Sequence, residues 1–358
     1  MLTPERPGGR AAALPDVSVI VVAWNVRELV LDCLRAVVQR ADGLAVELIV
    51  VDNASADDTV AAVREAFPEA TVIVNRGNVG FPAANNQGLA RARGRHVLFL
   101  NPDTVVGPGT LAACVRELDT DPTVGLVGCR VVYPDGRIQY EGGRRDYRLR
   151  HLLWEGLYLH ELFPRSALFA HQLIGEWDHR GRRDVEALIG AFMLARAEVA
   201  RAVGGLPDEV FMFHEDLAFC LRVRAQGWRV RYLGDVETVH YGGASRGKSS
   251  SPLDLLQGEV RVRLIRERGG PVRAALARPA FALRSLARLS IALACRWLPG
   301  MGRLKKERPK AFEPRTHALL LLWAIWPAAV AARLPRAEST GGAVVLEPGA
   351  GRTVGSGV

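Results

Sequence analysis

Acidic and amide side chains recur where the apolar runs of this sequence end. The first run closes with Ala23, Trp24 and Asn25, and the second is followed by Asp52 and Asn53. The third and fourth runs are followed by further residues of the same kinds, namely Asn75, Gly77, Asn78 and Gly80, and then Asn101 and Asp103. A carboxylate at a strand end can accept hydrogen bonds from a base or a ribose, and glycine lets a ligand approach the backbone closely. These residue types are typical of a nucleotide pocket.

A single acidic residue at such a position also has a plainer interpretation. Asp, Asn and Gly are the ordinary residues of turns and helix caps. For Asp52 or Asp103 alone, ligand binding and capping are equally well supported. Because the pattern repeats after four apolar runs, a shared binding site is favoured over four unrelated caps.

The segments between the runs predict a sheet that would bring these residues together. Apolar runs at 17–23, 47–51, 71–74, 96–100 and 124–132 alternate with helix-like stretches, which indicates an α/β fold with a mostly parallel sheet flanked by helices. The first run is apolar except for one serine, as expected for a strand buried on both faces. In such sheets ligands bind beyond the carboxyl ends of the strands.

A second group of candidate residues lies in the later part of the chain. A further strand is expected over 186–194 and a helix over 216–226, which Glu215 and Asp216 open. The dipole of a helix N-terminus favours an ionised carboxylate, which could act as a general base. The Gly/Ser-flanked Arg246 could contact a diphosphate, or it could lie in a solvated loop. Glu215 and Asp216 could merely cap the helix, and His240 taken alone is better explained as a core histidine.

Charge and composition narrow the classes of function. Residues 251–358 carry 18 Lys and Arg against 7 Asp and Glu, whereas residues 1–250 carry 29 against 31, so the net charge of +9 belongs to the C-terminal part. A nucleic-acid-binding protein that uses this tail is one alternative, but residues 1–250 contain no reader motif and no nucleic-acid partner is expected. Neither a G-x-G-x-x-G turn after the first run nor a P-loop occurs, which argues against hydride transfer and nucleotide hydrolysis. The five cysteines form no C-x-x-C pair, which favours reduced thiols in a cytoplasmic protein.

The chain divides into four parts by composition. Residues 1–15 form a flexible leader, and 16–268 form the main domain. Within that domain, 133–185 is an irregular, Arg-rich insertion. Its aromatic residues could line an acceptor site or simply pack: Trp154, Tyr158, Phe163, Phe169 and Trp177. Residues 269–335 are a basic helical tail, and 336–358 are expected to be disordered.

The tail predicts contact with a membrane surface. Residues 278–297 suggest a basic amphipathic helix, with apolar Phe281, Leu286, Leu289 and Leu293 among Arg278, Arg284, Arg288 and Arg296. The uncharged run 318–332 is shorter than the roughly 20 residues needed to cross a bilayer. Such a tail could lie on an anionic surface and hold the protein at the inner face of the cell membrane. The alternative is a helical hairpin that packs on the main domain or on a second copy in a homodimer.

Successive segments of the chain resemble the motifs of family 2 glycosyltransferases, and most of all the bacterial rhamnosyltransferase-like branch. The segments are VSVIVVAWN at 17–25, VDNASAD at 51–57, NVGFPAANNQG at 78–88, LFLNPDT at 98–104, GAFMLAR at 190–196, GGLPDE at 204–209, FMFHED at 211–216 and VHYGG at 239–243. They follow one another in order at sensible spacing within residues 17–268.

The resemblance implies a GT-A fold and assigns roles to individual positions. Asp52 matches the carboxylate that contacts the nucleoside, and Asp103 the last acid of the metal-binding D-x-D motif. The first acid of that motif is replaced by Asn101, which leaves less negative charge for the metal. His240 matches a histidine near the diphosphate and metal, and Asp216 matches the carboxylate regarded as the base, with Glu215 beside it.

The implied activity is an inverting transfer of one sugar from a nucleotide-diphospho-sugar, such as dTDP-rhamnose, to an acceptor hydroxyl. The acceptor would be a glycan or a lipid-linked glycan of cell-surface polysaccharide or glycolipid synthesis. A divalent cation, Mg²⁺ or Mn²⁺, would neutralise the charge that builds on the departing diphosphate. The remaining alternative within the family is a non-catalytic homologue that only binds sugars.

Overall fold

In the computed structural model, residues 14–242, 251–297, 314–327 and 344–346 are described. Twelve strands are formed: β1 (Val17–Ala23), β2 (Val46–Asp52), β3 (Thr71–Val74), β4 (His96–Leu100), β5 (Thr104–Val106), β6 (Val124–Val132), β7 (Gly143–Arg144), β8 (Arg182–Asp184), β9 (Ala187–Leu188), β10 (Phe192–Arg196), β11 (Arg229–His240) and β12 (Val344–Leu346).

The helices of the described residues surround these strands. They are α1 (Arg27–Gln39), α2 (Thr59–Ala66), α3 (Phe81–Arg91), α4 (Thr110–Thr120), α5 (Leu149–Gly156), α6 (Leu159–Leu162), α7 (Ala197–Ala202), α8 (Glu215–Ala225), α9 (Ser251–Arg268), α10 (Gly270–Trp297) and α11 (Pro314–Ile325), with a 3₁₀ turn at Tyr140–Gly142.

One 10-stranded sheet forms the centre, in the order β12-β3-β2-β1-β4-β10-β6-β11-β5, with β8 beside β11. Strands β3, β2, β1 and β4 pair in parallel, and so do β6 and β11. Because β10 is antiparallel to both β4 and β6, these two sets point the same way. The predicted α/β class with a mostly parallel sheet is therefore confirmed.

The sheet is buried on both faces, which explains why its central strands are almost wholly apolar. Every residue of β1 and β4 is buried. Ile20 and Val22 enter the core on one face, whereas Val19 and Val21 enter a second core on the other. Alternate side chains of a strand point to opposite faces, so a run without polar residues is what a two-sided core requires.

The strand predicted over 186–194 is divided in two. Strands β9 and β10 are separated by residues 189–191, and β9 belongs to a small second sheet with β7. The backbone groups of Gly190 and Ala191 bond outside the ladder, to Asp216 and Asn101 respectively. The prediction of one continuous strand was wrong because this segment bonds to candidate site residues instead.

The insertion contains short elements, and the tail packs against them. Helix α10 contacts α5 of the insertion as well as α9 and α11. Phe281 is buried against Trp323 of α11. Arg284 also points inward, where it donates to Glu155. The packed hairpin that the sequence left open as an alternative is thus present.

The amphipathic character of α10 departs from the expected one at Arg284, Leu286 and Leu293. Arg284 is buried, whereas Leu286 and Leu293 are 47% and 44% exposed. The prediction placed the arginines of this helix in solvent. That arrangement is wrong for Arg284, because the carboxylate of Glu155 gives its charge a partner inside the protein.

Two terminal predictions have different outcomes. Residues 336–358 were expected to be disordered, but Val344–Leu346 pair antiparallel with β3. An apolar, partly β-branched triplet can add to the free edge of a sheet, which accounts for this difference. Most of the predicted leader, residues 1–13, lies outside the described residues, as does the rest of 336–358. No helix in the described ranges is long and apolar enough to cross a membrane.

Candidate functional site

The carboxyl ends of the central strands meet at one edge of the sheet, as the sequence predicted. In the register of the parallel pairs, Ala23 of β1 lies beside Asp52 of β2. On the other side of β1, Val21 lies beside Leu100, the last residue of β4. Asn101 therefore starts at the same edge as Ala23 and Asp52.

Asp52 is a buried carboxylate with an unsatisfied oxygen. It is 1% exposed, and its Oδ2 accepts a hydrogen bond from the backbone N–H of Ser55 at 3.0 Å. Its Oδ1 has no hydrogen-bond partner among the described residues. Burial raises the pKa of this carboxyl above its usual range. A hydrogen-bond donor on a nucleoside would satisfy Oδ1, so Asp52 suits the role assigned to it.

Two strained residues shape the rim around Asp52. Asn25 and Ala54 have φ angles of 54° and 63°, in the left-handed region that residues other than glycine rarely adopt. The Oδ1 of Asn25 accepts from the N–H of Ala56 at 2.7 Å, and the N–H of Asn25 donates to Ser55 Oγ at 2.9 Å. The side chain of Asn25 thus joins the loops after β1 and β2. Trp24, 47% exposed, presents the aromatic surface at this rim.

Asn53, Asn78 and Gly80, which the sequence assigned to the nucleotide, form hydrogen bonds with one another. Asn53 donates to the carbonyl of Gly80 at 3.2 Å, and Asn78 Oδ1 accepts from the N–H of Gly80 at 3.0 Å. Gly80 has a φ of 88°, and a Cβ there would lie 2.6 Å from the carbonyl oxygen of Phe211. The close approach that Gly80 permits is to another loop of the protein, so these residues build the pocket wall.

Asn101, Asp103 and His240 form a cluster at the ends of β4 and β11. His240 Nε2 lies 3.3 Å from Asp103 Oδ1 and 3.4 Å from Asn101 Nδ2. His240 reaches this position because β11 pairs antiparallel with β5, with His240 opposite Thr104. All of Asp103 is buried, at 1% exposure. The sequence placed these residues together correctly.

Gln139 orients the histidine ring, and sequence reasoning missed it. Its Nε2 donates to the carbonyl of His240 at 2.7 Å, which turns its Oε1 to His240 Nδ1 at 2.8 Å. Since an amide oxygen only accepts, Nδ1 must carry the proton. A neutral ring then presents the lone pair of Nε2 to Asp103. Gln139 stands in the irregular insertion, where no periodic signal marks a buried polar residue.

This donor set is compatible with a hard divalent cation. Two ligands at about 2.1 Å and at right angles are about 3.0 Å apart, close to the observed 3.3 Å between Asp103 Oδ1 and His240 Nε2. No group of three or more His, Cys, Asp and Glu that could hold a metal occurs among the described residues. Mg²⁺ usually binds through one or two carboxylates together with substrate phosphates and water, and Asp103 supplies one such carboxylate.

Asp216 is held in place by a cation and two amides. Its Oδ1 lies 2.8 Å from Arg144 Nη2 and accepts from the N–H of Leu217 at 2.6 Å. Its Oδ2 accepts from the N–H of Gly190 at 2.9 Å. Both oxygens of this buried carboxylate are therefore engaged. Arg144 was not singled out by the sequence, because it lies in the insertion without a recognisable motif.

The segment between β9 and β10 joins the two carboxylate positions. Gly190 donates to Asp216, and the next residue, Ala191, accepts from the N–H of Asn101 at 3.1 Å. Asp103 follows Asn101 by two residues. The predicted metal ligand and the predicted base consequently lie at the same edge of the sheet, connected by two adjacent residues.

A strained turn precedes the pair Glu215 and Asp216. Phe213 and His214 have φ angles of 76° and 59°, and helix α8 begins directly after them. Two consecutive left-handed residues cost free energy, and such strain is concentrated at functional sites. Glu215 is buried next to Asp216. Arg246, assigned to the diphosphate, lies outside the described residues.

The family model of glycosyl transferase family 2 matches residues 18–176, which include the edge formed by β1, β2 and β4. This part of the chain is similar to glycosyltransferase family 2. Its fold is GT-A: a mannosyltransferase from Pyrobaculum calidifontis, solved with GDP-mannose and Mn²⁺, superposes with a TM-score of 0.54 at 21% identity and covers 90% of this chain and 92% of that one.

Two curated proteins are similar to this chain over part of its length. The O-antigen biosynthesis protein RfbC of Myxococcus xanthus is 28% identical over 247 residues, which are 66% of this chain but only 18% of that protein. An N-acetylglucosaminyl-diphospho-decaprenol L-rhamnosyltransferase of Mycobacterium tuberculosis is 26% identical over 216 residues, 57% of this chain and 69% of the relative.

Proposed function

We propose that this protein is an inverting glycosyltransferase that moves a sugar from a nucleotide-diphospho-sugar to an acceptor hydroxyl. The observation that carries the proposal is the connection of the Asp103–His240 pair to Asp216 through Gly190 and Ala191. The residues that would hold the leaving group, Asp103 and His240, are then joined at one edge of the sheet to Asp216, the residue that would act as the base. A non-catalytic sugar binder would not need both.

The leaving-group side would hold a divalent cation. Asp103 and His240 would be its protein ligands, with Asn101 alongside and Gln139 fixing the ring of His240. Such a cation neutralises the negative charge of a departing nucleoside diphosphate. Asp52 and the exposed ring of Trp24 would contact the nucleoside, and Arg246 remains assigned to the diphosphate as a proposal.

The base side would deprotonate the acceptor. In a single displacement, the hydroxyl attacks from the face opposite the leaving group, which inverts the anomeric configuration, and a carboxylate receives its proton. Asp216 is the proposed base, with Glu215 positioned to orient the acceptor. Its pairing with Arg144 fixes Asp216 in one orientation, which supports this role.

The donor can be identified by binding measurements. We expect one nucleotide sugar from a panel of dTDP-, UDP- and GDP-sugars to raise the unfolding temperature in Mn²⁺ and to do so much less in chelator. The rhamnosyltransferase relative makes dTDP-rhamnose the first donor to try. Enzymatic release of the nucleoside diphosphate with a lipid-linked or soluble glycan acceptor completes the test. A protein that binds no nucleotide sugar under either condition contradicts the proposed function.

The tail is proposed to hold the enzyme at the inner face of the cell membrane. Val272, Leu276, Leu283, Leu286 and Leu293 are exposed, and at 100° per residue they fall within an arc of about 100° on α10. The exposed residues Leu322 and Ile325 of α11, and Trp326 directly after it, add to this set. Apolar residues including Trp, next to a basic sequence, suit the interface of an anionic bilayer, where a lipid-linked acceptor would be found.

Charge on the exposed face of α10 should release the protein from vesicles. We expect Leu283→Glu with Leu286→Glu to weaken binding to phosphatidylglycerol–phosphatidylcholine vesicles by about tenfold or more, since two apolar side chains are lost from the interface. Unfolding temperature should hardly change, because both side chains are at least 47% exposed. Val38→Glu on α1, also at an exposed position, is the control and should bind normally. If the wild-type protein is a dimer and the double variant is a monomer that still binds vesicles normally, this face is instead a contact between two copies.

A further inference from the structure

A cavity of about 360 Å³ lies between the insertion and the tail helices. Its walls include Trp154, Phe169, Arg261, Arg284, Arg288 and Leu320. Ligand sites in proteins usually have volumes of about 300–1,000 Å³, so this space is large enough for a small ligand. Arg144 also lines the cavity, and the same guanidinium contacts Asp216. The cavity therefore borders the proposed base.

The wall of the cavity holds more positive than negative charge around Glu155. Arg261 Nη1 and Arg284 Nε donate to the same oxygen, Glu155 Oε2, at 2.9 and 3.1 Å. Arg288 Nε donates to the backbone carbonyl of Glu155 at 2.8 Å. Over the whole lining, four arginines (Arg144, Arg261, Arg284 and Arg288) face three carboxylates (Glu141, Glu155 and Asp254).

The surplus of one positive charge is largely desolvated. Arg284 is 7% exposed, and burial together with the neighbouring arginines lowers its pKa. Because Arg284 shares the single carboxylate oxygen of Glu155 with Arg261, an anionic ligand would give these guanidinium groups a further partner. Arginine also presents its N–H groups in a planar fork that matches phosphate oxygens.

The other walls suit a sugar. His151 lies in the cavity wall, and burial lowers its pKa to about 3, so its ring is neutral and can exchange hydrogen bonds with hydroxyl groups. Trp154 adds an aromatic ring beside it, with ring centroids 5.4 Å apart.

We propose that this cavity binds the phosphate or diphosphate group that links the acceptor sugar to its carrier. The inference rests on the proposed transferase function and adds a chemical class for the acceptor. Arg261, Arg284 and Arg288 would bind the anion, and the attached sugar would extend toward Asp216. On α10, Arg284 and Arg288 project roughly opposite the exposed apolar arc, so this helix would lie between the cavity and the membrane.

Titration calorimetry with inorganic pyrophosphate in chelator tests the cavity without the metal site. We expect the wild-type protein to bind pyrophosphate and Arg288→Gln to bind it about tenfold more weakly, because one charged contact is lost. Arg288 is suited to removal because Glu155 keeps Arg261 and Arg284 as partners. Arg273→Gln, an exposed position on the same helix, is the matched control and should bind like wild type. Asp103→Asn should also bind like wild type.

Glu155→Gln should change the affinity for pyrophosphate in the direction opposite to Arg288→Gln. Removing this carboxylate increases the positive charge of the wall, so pyrophosphate should bind severalfold more tightly. If the arginines served only to hold Glu155, neither variant would change the binding of an anion. The proposal is overturned if the wild-type protein binds no pyrophosphate in chelator, or if binding is lost in Asp103→Asn and kept in Arg288→Gln.

Competition then identifies the carrier. A polyprenyl diphosphate in detergent micelles and soluble N-acetylglucosamine 1-phosphate are each added against bound pyrophosphate. Displacement by the first alone indicates a lipid carrier, displacement by the second indicates a soluble sugar phosphate, and displacement by neither contradicts the proposal. Binding of the nucleotide sugar in Mn²⁺ is measured on the same variants, so a failure of the transferase function is seen independently.

Discussion

Asp216→Asn is expected to lower the turnover of sugar transfer by about 10²–10⁴-fold, the range that a positioned general base contributes. Binding of the nucleotide sugar in Mn²⁺ should survive, because Asp216 is proposed to act on the acceptor and, within the described part of the chain, its oxygens contact Arg144, Gly190 and Leu217. Turnover is measured at saturating donor, so the loss should fall on kcat. Turnover within about tenfold of wild type would remove Asp216 as the base.

The ion pair with Arg144 complicates this substitution and also supplies its control. Both side chains are about 10% exposed, at 9% and 11%, so the amide leaves a buried guanidinium without its partner. Breaking such a pair costs about 3–5 kcal/mol. The double variant Asp216→Asn with Arg144→Gln removes both charges and should recover much of the stability lost in the single variant. If Asp216 is the base, the double variant stays inactive, whereas recovered activity would mean that the single variant had only been unfolded.

Glu215 is the matched comparison for Asp216 on the same helical turn. Glu215→Gln should reduce turnover less, and it should preserve the dependence of turnover on pH that ionisation of the base produces. In Asp216→Asn that dependence should disappear. The reverse pattern would transfer the role of base to Glu215.

The strand ends were predictable from the sequence because two physical rules act on them locally. A strand buried on both faces must be apolar throughout, so β1 and β4 stand out. The residue that leaves such a strand reaches the edge where other strands of the same direction end, which brought Ala23, Asp52 and Asn101 together.

The contacts of the side chains in the loops beyond the strand ends could not be predicted from the sequence in the same way. Asn53 and Asn78 have the residue type of ligand contacts, yet their amides bond to Gly80. An amide serves a loop and a ligand equally well, and only the path of the neighbouring backbone decides between them. Gln139 and Arg144 were missed for the complementary reason. They bond to residues more than 70 positions away, His240 and Asp216, and long-range partners leave no period in the sequence.

The tail shows how amphipathicity can be recognised while its direction is misjudged. Apolar and basic residues alternate on α10 with helical spacing, which predicted the helix. The side that is buried depends on what the helix meets, and Glu155 of the insertion draws Arg284 inward. Leucine residues are consequently left at the surface. Spacing determines which residues share a face, but the partner determines where that face points.

Asp103→Asn is expected to abolish the metal dependence of donor binding. The amide has the shape of the carboxylate but no charge, and beside Asn101 it would leave His240 without an anionic neighbour for a cation. We expect Mn²⁺ affinity, measured by titration with the nucleoside diphosphate present, to fall by at least 100-fold, and transfer to fall in proportion. Asp135→Asn is the control, since this exposed residue pairs only with Arg137 at the surface.

The variant Gln139→Leu is expected to have an intermediate effect. It tests the orientation of the His240 ring separately from direct coordination of the metal by Asp103. It leaves both ligands but removes the acceptor that keeps the proton on His240 Nδ1, so the lone pair of Nε2 is no longer fixed toward Asp103. Loss of such a partner typically lowers metal affinity by about 10–100-fold, less than the loss of the carboxylate. The order wild type, Gln139→Leu, Asp103→Asn in Mn²⁺ affinity is therefore expected. Full activity of the wild-type enzyme in excess chelator would contradict the metal site, because then neither residue would have a cation to hold.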